Sequence, residues 1–476
     1  MKTQKKVIVI GAGPAGLTAA SKLTEGDCEV TVYEAGKTVG GLARSFELWN
    51  QIVDCGPHRF FSNDKIVNDF FKEVVGDDFI HINRLTRIYY RKKFYFYPLK
   101  AMNVLINIGP IGVIASMWSY VRQRMNPIRN PKTFEDWVVS RFGRKLYNTF
   151  FKNYSEKLWG IPCSRIDADW AAQRIKNFSL LEAVKAAIIP DTSGKHKTLV
   201  DRFAYPKHGT GMIYQKIKTN IENAGGKVLL NAPVEKVLVE NGIATGIVLK
   251  SGETILCDEV ISTMPLTLMV KGLNDVPENV KQACDKLFFR NTILVYLEVD
   301  ATNLFPDQWI YVHNPDVIHG RITNFRNWSP ELYGDKKTSI LCLEYWCFDE
   351  DEIWMRDENY FHELGENELR QTGLIKPEHQ VLNCHIEKLR RCYPVYETGY
   401  AANVELIKTY LDTIKNLRVI GRYGAFKYNN QDHSMLMGLL AAKEILKGTH
   451  EKLWDINTDS DYHEEGDGLE IVKQNH

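Results

Sequence analysis

Gly11, Gly13 and Gly16 stand at GxGxxG spacing directly after the apolar run Val7-Ile8-Val9-Ile10. That arrangement suits anion binding. Gly11 permits a tight turn, Gly13 lets backbone approach a pyrophosphate, and Gly16 lets a helix pack closely on its strand. A helix opening at Pro14-Ala15 offers its free N–H groups and its dipole to the negative charge. Glu34, followed by Ala35, ends a second apolar strand about twenty residues on, where a carboxylate holds an adenosine ribose and repels a 2′-phosphate. A further glycine turn, Gly40-Gly41-Leu42-Ala43-Arg44, suits a loop folded over the same pyrophosphate with Arg44 as counter-charge; the alternative is a surface turn.

Other side chains carry chemistry singly. His58 follows Gly56-Pro57 and precedes aromatics, a setting for either a packed ring or a reactive one. Arg174 sits among Ala171, Ala172 and Ile175; a buried arginine there needs a phosphate or an internal acid. Arg321, with Arg326 as the alternative, lies in the block His319–Trp328; converging with Arg174 it would hold a diphosphate through bidentate bonds, and otherwise it is a solvated strand arginine. No Ser-His-Asp set is visible. Nine cysteines without a CxxC pair argue for a reducing cytoplasm and no structural metal. Sixty Lys and Arg against 59 Asp and Glu leave a net charge of +1, so bulk charge implies no nucleic-acid partner.

The chain's 476 residues exceed a single core and predict two or three lobes of α/β class. Residues 1–88, 205–270 and 415–448 are expected to form a discontinuous Rossmann-like lobe. Residues 89–99 and 271–414 are expected to form a mixed or antiparallel sheet facing the substrate, 100–200 a helical insertion, and 449–476 an acidic surface tail. Tyr89–Tyr97 alternates as a hairpin turning at Arg91–Lys93. Ala101–Val121 has no formal charge; Gly109-Pro110 and Gly112 predict two short helices packed in the protein, with peripheral membrane contact as the alternative. Phe134, Trp137, Val138 and Phe142 recur at helical spacing behind a Thr133/Asp136 cap. Near the end, Leu417–Ile420 runs into Gly421-Arg422, and Asp432-His433-Ser434 opens another helix, repeating the logic of the first motif.

Taken together, GxGxxG, the strand-end Glu34, Gly40-Gly41-Leu42-Ala43-Arg44-Ser45 and Lys152–Gly160 with its Glu156-Lys157-Leu158-Trp159-Gly160 core are specific. So are Tyr393-Pro394-Val395 and Lys427-Tyr428 with Asp432-His433. This series resembles the UDP-galactopyranose mutase-like members of the FAD-dependent amine oxidase and protoporphyrinogen oxidase superfamily. The resemblance implies a GR2-type lobe with FAD held extended through the core. It implies that His58 lies against the isoalloxazine and that Val234 backbone meets the adenine. It further implies that Gly421, Arg422, Asp432, His433 and Ser434 meet the ribityl and pyrimidine end. Arg174 and Arg321 (or Arg326) would reach a nucleoside-diphosphate sugar, with Tyr393 and Tyr428 beside them. The sequence departs from the mutase pattern at Phe61, where a second histidine is usual, and at Ala425-Phe426, where bacterial mutases carry Glu and Tyr. The implied activity is pyranose/furanose interconversion through reduced flavin in cell-surface polysaccharide biosynthesis, with NAD(P)H as external reductant. The alternative is an FAD-dependent oxidoreductase acting on an amine or apolar substrate.

Overall fold

In the computed structural model, residues 4–170 and 202–456 are described. Strand Lys5–Ile10 is buried from Val7 onward and is flanked on both edges by parallel strands, Cys28–Tyr33 and Glu259–Ser262. Leu417–Val419 and Lys227–Leu229 complete a five-stranded parallel sheet. Apolar runs without alternation are what such a sheet requires, because both faces are covered: Val7, Val9 and Val32 pack with the flanking helices, and Ile8, Ile10 and Val260 with the three-stranded meander. Helix Pro14–Glu25 packs against Gly211–Asn223 and Gln431–Lys447. Gly438 makes the second approach feasible: a Cβ there would come within 2.4 Å of the Ala15 carbonyl oxygen. A three-stranded meander, Val234–Glu240, Ile243–Leu249 and Thr254–Leu256, is inserted before the central strand's second partner.

A second sheet of seven strands runs Val381–Pro394, Phe289–Val299, Ser339–Cys347, Arg321–Asn324, Trp309–Val312, Thr86–Tyr90 and Lys93–Phe96. It is antiparallel except where Trp309–Val312 pairs in parallel with Thr86–Tyr90. Phe289–Val299 and Ser339–Cys347 are buried throughout. The hairpin turns where the alternation predicts: Arg91 and Lys92 take φ of 51° and 59°, the left-handed pair of a tight hairpin turn.

The helical part contains Phe134–Leu146, whose first turn is capped by Thr133 Oγ1 accepting from Asp136 N at 3.1 Å. It also contains a kinked helix, Ala101–Met125. Gly109 leaves helical geometry at φ 69°, ψ 171°, and Pro110 follows it, so two helical arms meet at the expected place. Their expected packing in the protein interior needs correction. One face does lie on the protein, but Met102, Ile106, Ile111, Ile114, Trp118, Val121 and Met125 are exposed. An apolar, uncharged run identifies a face that avoids water without identifying what covers it.

Candidate functional site

A cavity of about 840 Å3 lies between the two sheets and the helical part. At one end its wall is made by Gly13 and Ala15, at the start of the opening helix, and by Gly41 and Leu42. Gly13 has no neighbour within 4 Å of a would-be Cβ, so its surface faces open space. Gly41, with φ +55°, would place a Cβ 3.3 Å from Gly13 Cα. This is a cradle of bare backbone at a helix N-terminus, the geometry a pyrophosphate requires. Gly16 cannot carry a side chain either, since its Cβ would meet the Gly11 carbonyl oxygen at 2.0 Å. Gly11 donates its N–H to the Tyr33 carbonyl at 2.8 Å and anchors the turn.

Glu34 accepts from Ala12 N at 2.7 Å and from Gly36 N at 2.6 Å. Those bonds fix the carboxylate and leave lone pairs for ribose hydroxyls. Ala35 beside it is exposed. The Glu34 carbonyl accepts from Ala232 N at 2.8 Å, which brings the start of the Val234 strand to the same end. Arg44, expected as a counter-charge over the pyrophosphate, is tied down by protein groups. Its guanidinium pairs with Glu387 at 2.9 Å and bonds the Gly41 carbonyl at 3.2 Å, and it is not among the cavity-lining residues. It braces the glycine loop from behind, and its charge is met by an acid 343 residues away in sequence.

The middle of the cavity is lined by Gly421, Arg422, Asp432, His433 and Ser434. Gly421 has φ +84°, and its would-be Cβ lies 3.2 Å from Ala15 Cβ, so the two phosphate-type turns meet. Helix Gln431–Lys447 turns its first residues to the cavity, with His433 Nδ1 accepting from Asn430 N at 3.2 Å. Arg422 donates to the carbonyls of Cys392 (2.9 Å) and Asn429 (2.8 Å) and lies over the rings of Tyr393 and Tyr428. An extended dinucleotide fits this sequence of bare backbone, helix N-termini and ribose-type carboxylate.

Beyond it the wall becomes aromatic and polar. Arg321 and Glu344 are direct cross-strand partners and form a bidentate pair, Nε–Oε1 2.5 Å and Nη2–Oε2 2.7 Å. Burial works against the Arg321 charge, but Glu344 holds the guanidinium well above its usual pKa. The Tyr393 hydroxyl lies 3.4 Å from Arg321 Nη2, and its ring stacks on Tyr428 at 5.4 Å. Burial raises the Tyr393 and Tyr154 hydroxyls far above their ordinary range, so both remain donors. His58 lines the same region, bonding the Cys55 carbonyl at 2.9 Å; burial and the Arg321 charge pull it down to about 4, so it is neutral. Arg326 binds the carbonyls of Lys336 and Thr338 away from the lining, which leaves Arg321 as the cavity's arginine on this strand. Arg174 lies outside the described residues.

Two participants were not singled out by sequence. Glu344 is one; a lone acid in the apolar strand Leu341–Trp346 was its only signal. His313 stacks on Tyr154 at 4.7 Å and is pushed down to about 3 by burial and Lys157. Lys157 Nζ is spent on the carbonyls of Asn314 (2.6 Å), His319 (3.3 Å) and Val312 (3.4 Å), tying the Trp159 segment to the sheet. At Ala425-Phe426 both side chains are buried, and Phe426 packs on Phe289 at 4.9 Å, so this departure fills core beneath the site.

Comparison with known proteins agrees with this geometry. Over nearly its whole length the chain is 22% identical to coproporphyrinogen III oxidase of Staphylococcus aureus, covering 93% of this chain and 99% of that one. It is 28% identical over 172 residues to dTDP-fucopyranose mutase of Escherichia coli, covering 34% and 44% of the two chains. The crystal structure of a reduced UDP-galactopyranose mutase superposes with a TM-score of 0.83 at 24% identity, covering 96% of this chain and 99% of that one, and so shares the fold. Residues 14–364 match the model of the flavin containing amine oxidoreductases, and the chain belongs to that family.

Proposed function

We propose that the protein is an FAD-dependent mutase that interconverts the pyranose and furanose forms of a nucleoside-diphosphate sugar. The observation that carries this reading is the donor-rich end of the cavity, where Tyr393, Tyr428 and Tyr154 surround the Arg321–Glu344 pair. Sugars are held by such arrays of hydroxyls and stacked rings. Reduced FAD, when bound, supplies the nucleophile toward the anomeric carbon. The protein's part is positioning and electrostatics, and His58, pulled down to about 4 by burial, is a weak base that contributes packing rather than proton transfer. Tyrosine hydroxyls donate to sugar oxygens, Arg321 orients them from its carboxylate partner, and Arg174 is assigned to the departing diphosphate. The fold shared with a mutase supports the reading.

The test uses dithionite-reduced protein and UDP-galactofuranose. UDP-galactopyranose should accumulate, and only with the reduced protein. A second reading, an oxidoreductase for an apolar or porphyrinogen-type substrate, is favoured by one feature: Glu344 cancels the Arg321 charge, so this arginine offers no uncompensated charge to a diphosphate. Oxygen-consuming turnover of a porphyrinogen, without ring interconversion, would establish that reading and refute the mutase.

A further inference from the structure

The kinked helix presents a continuous apolar ridge to solvent. Met102 and Ile106 on one arm, then Ile111, Ile114, Trp118, Val121 and Met125 on the other, recur every three or four residues. Ile111 is 83% exposed, Ile106 70% and Trp118 64%. The opposite face is firmly held. Val104 and Ile108 pack on the core, and the second arm lies so close to Phe134–Leu146 that a Cβ on Gly143 would meet Tyr120 N at 2.9 Å. Exposed apolar area on this scale marks a surface with a partner.

Charge indicates which partner. Residues 79–134 contain ten Lys and Arg and no Asp or Glu, although the whole chain is at +1, so the remainder carries −9. The cations rim the ridge. Arg91 and Lys92 are exposed at the hairpin tip, and Lys93 Nζ bonds the Asn107 carbonyl, which fixes that tip beside the kink. Lys100 lies over Phe96 at one end, and Arg122 over Trp118 at the other, apolar stems along the ridge with charges at its border.

We propose that this face docks on the surface of an anionic lipid bilayer, with the helix lying in the interfacial plane. Met102–Met125 is long and apolar enough to cross a membrane by length and composition alone. It does not span in this fold: Gly109 divides it, each arm falls short of the ~20 residues a crossing needs, and one face stays on the protein. A second copy of the chain is disfavoured, because pairing two such faces brings like-charged rims together.

The experiment is flotation of the full FAD-loaded chain with vesicles of phosphatidylcholine, with and without phosphatidylglycerol. Binding is expected only to the mixed vesicles. It should weaken roughly thirty-fold in Lys92→Gln/Arg122→Gln, from about one cation's worth of attraction per site. Ile111→Asp/Trp118→Asp should abolish binding while leaving flavin absorbance and Tm unchanged. Equal binding to both vesicle types, or none, overturns the proposal. So does a wild-type dimer in sedimentation that Ile111→Asp/Trp118→Asp dissolves without any vesicle binding, since a second copy then covers the ridge.

Discussion

Glu344→Gln keeps the side chain's shape and removes one charge from the cavity wall. Glu344 is 1% exposed and supplies both acceptors of the Arg321 fork, at 2.5 and 2.7 Å. The amide keeps one acceptor oxygen and turns a donor NH2 toward the other arm of the fork, so the guanidinium is left buried and uncompensated. Breaking such a pair costs about 3–5 kcal/mol, a loss of several degrees in the Tm of the flavin-loaded protein. UDP then discriminates between readings of the site. If a diphosphate sits against Arg321, it restores the missing counter-charge, and UDP should raise the Tm of the variant more than that of the wild type. Saturation a hundredfold above Kd is worth about 2.7 kcal/mol, enough to recover much of the loss. Thermal unfolding followed by flavin fluorescence, with and without UDP, reads both effects. An unchanged Tm in Glu344→Gln refutes the buried pair. A lowered Tm that UDP does not raise refutes the placement of a diphosphate beside Arg321.

Two further perturbations address the frame of the cavity. Asp54 is fully buried, accepting from Ser45 Oγ at 2.5 Å, Tyr205 OH at 2.6 Å and Thr210 N at 3.1 Å, and burial raises it to about 7. An acid raised on folding stabilises fully below its unfolded pKa near 4, and that contribution is lost as pH climbs through 7. Stability should therefore fall from pH 4 to 7 by up to about 4 kcal/mol from this group, and Asp54→Asn should flatten the slope in urea titrations; an unaltered slope contradicts the assignment. Gly41→Val forces a β-branched residue into a left-handed backbone and fills the space against Gly13. Purified variant should carry far less flavin per chain by visible absorbance, and full occupancy would show that the glycine cradle does not hold the cofactor.

What was legible in the sequence was local. Val7–Ile10 followed by GxGxxG specifies strand, turn and helix within a dozen residues, and Arg91–Lys93 specifies a hairpin through its flanking alternation. Site contacts that depend on register were not legible. Arg321 meets Glu344 because two antiparallel strands align those residues opposite each other, and a one-residue slip would separate them. Arg44 looked like a phosphate ligand from its glycine neighbours, yet Glu387 on an edge strand of the other sheet meets it. Ala101–Val121 shows a third kind of limit: apolarity is a property of the segment, whereas burial is a property of what surrounds it.

The central position of Lys5–Ile10 also sets a timetable. Its neighbour Glu259–Ser262 follows some 250 residues later, and Leu417–Val419, which seals that neighbour, comes after about 400. At ribosomal rates of about 5–20 residues per second, the first strand waits roughly 20–80 s for the sheet to be completed. Until then Val7 and Val9 have no lasting cover on that edge, and pairing of this long range is slow and exposed to aggregation. The glycine turn that receives the cofactor is thus synthesised long before the sheet that supports it is complete.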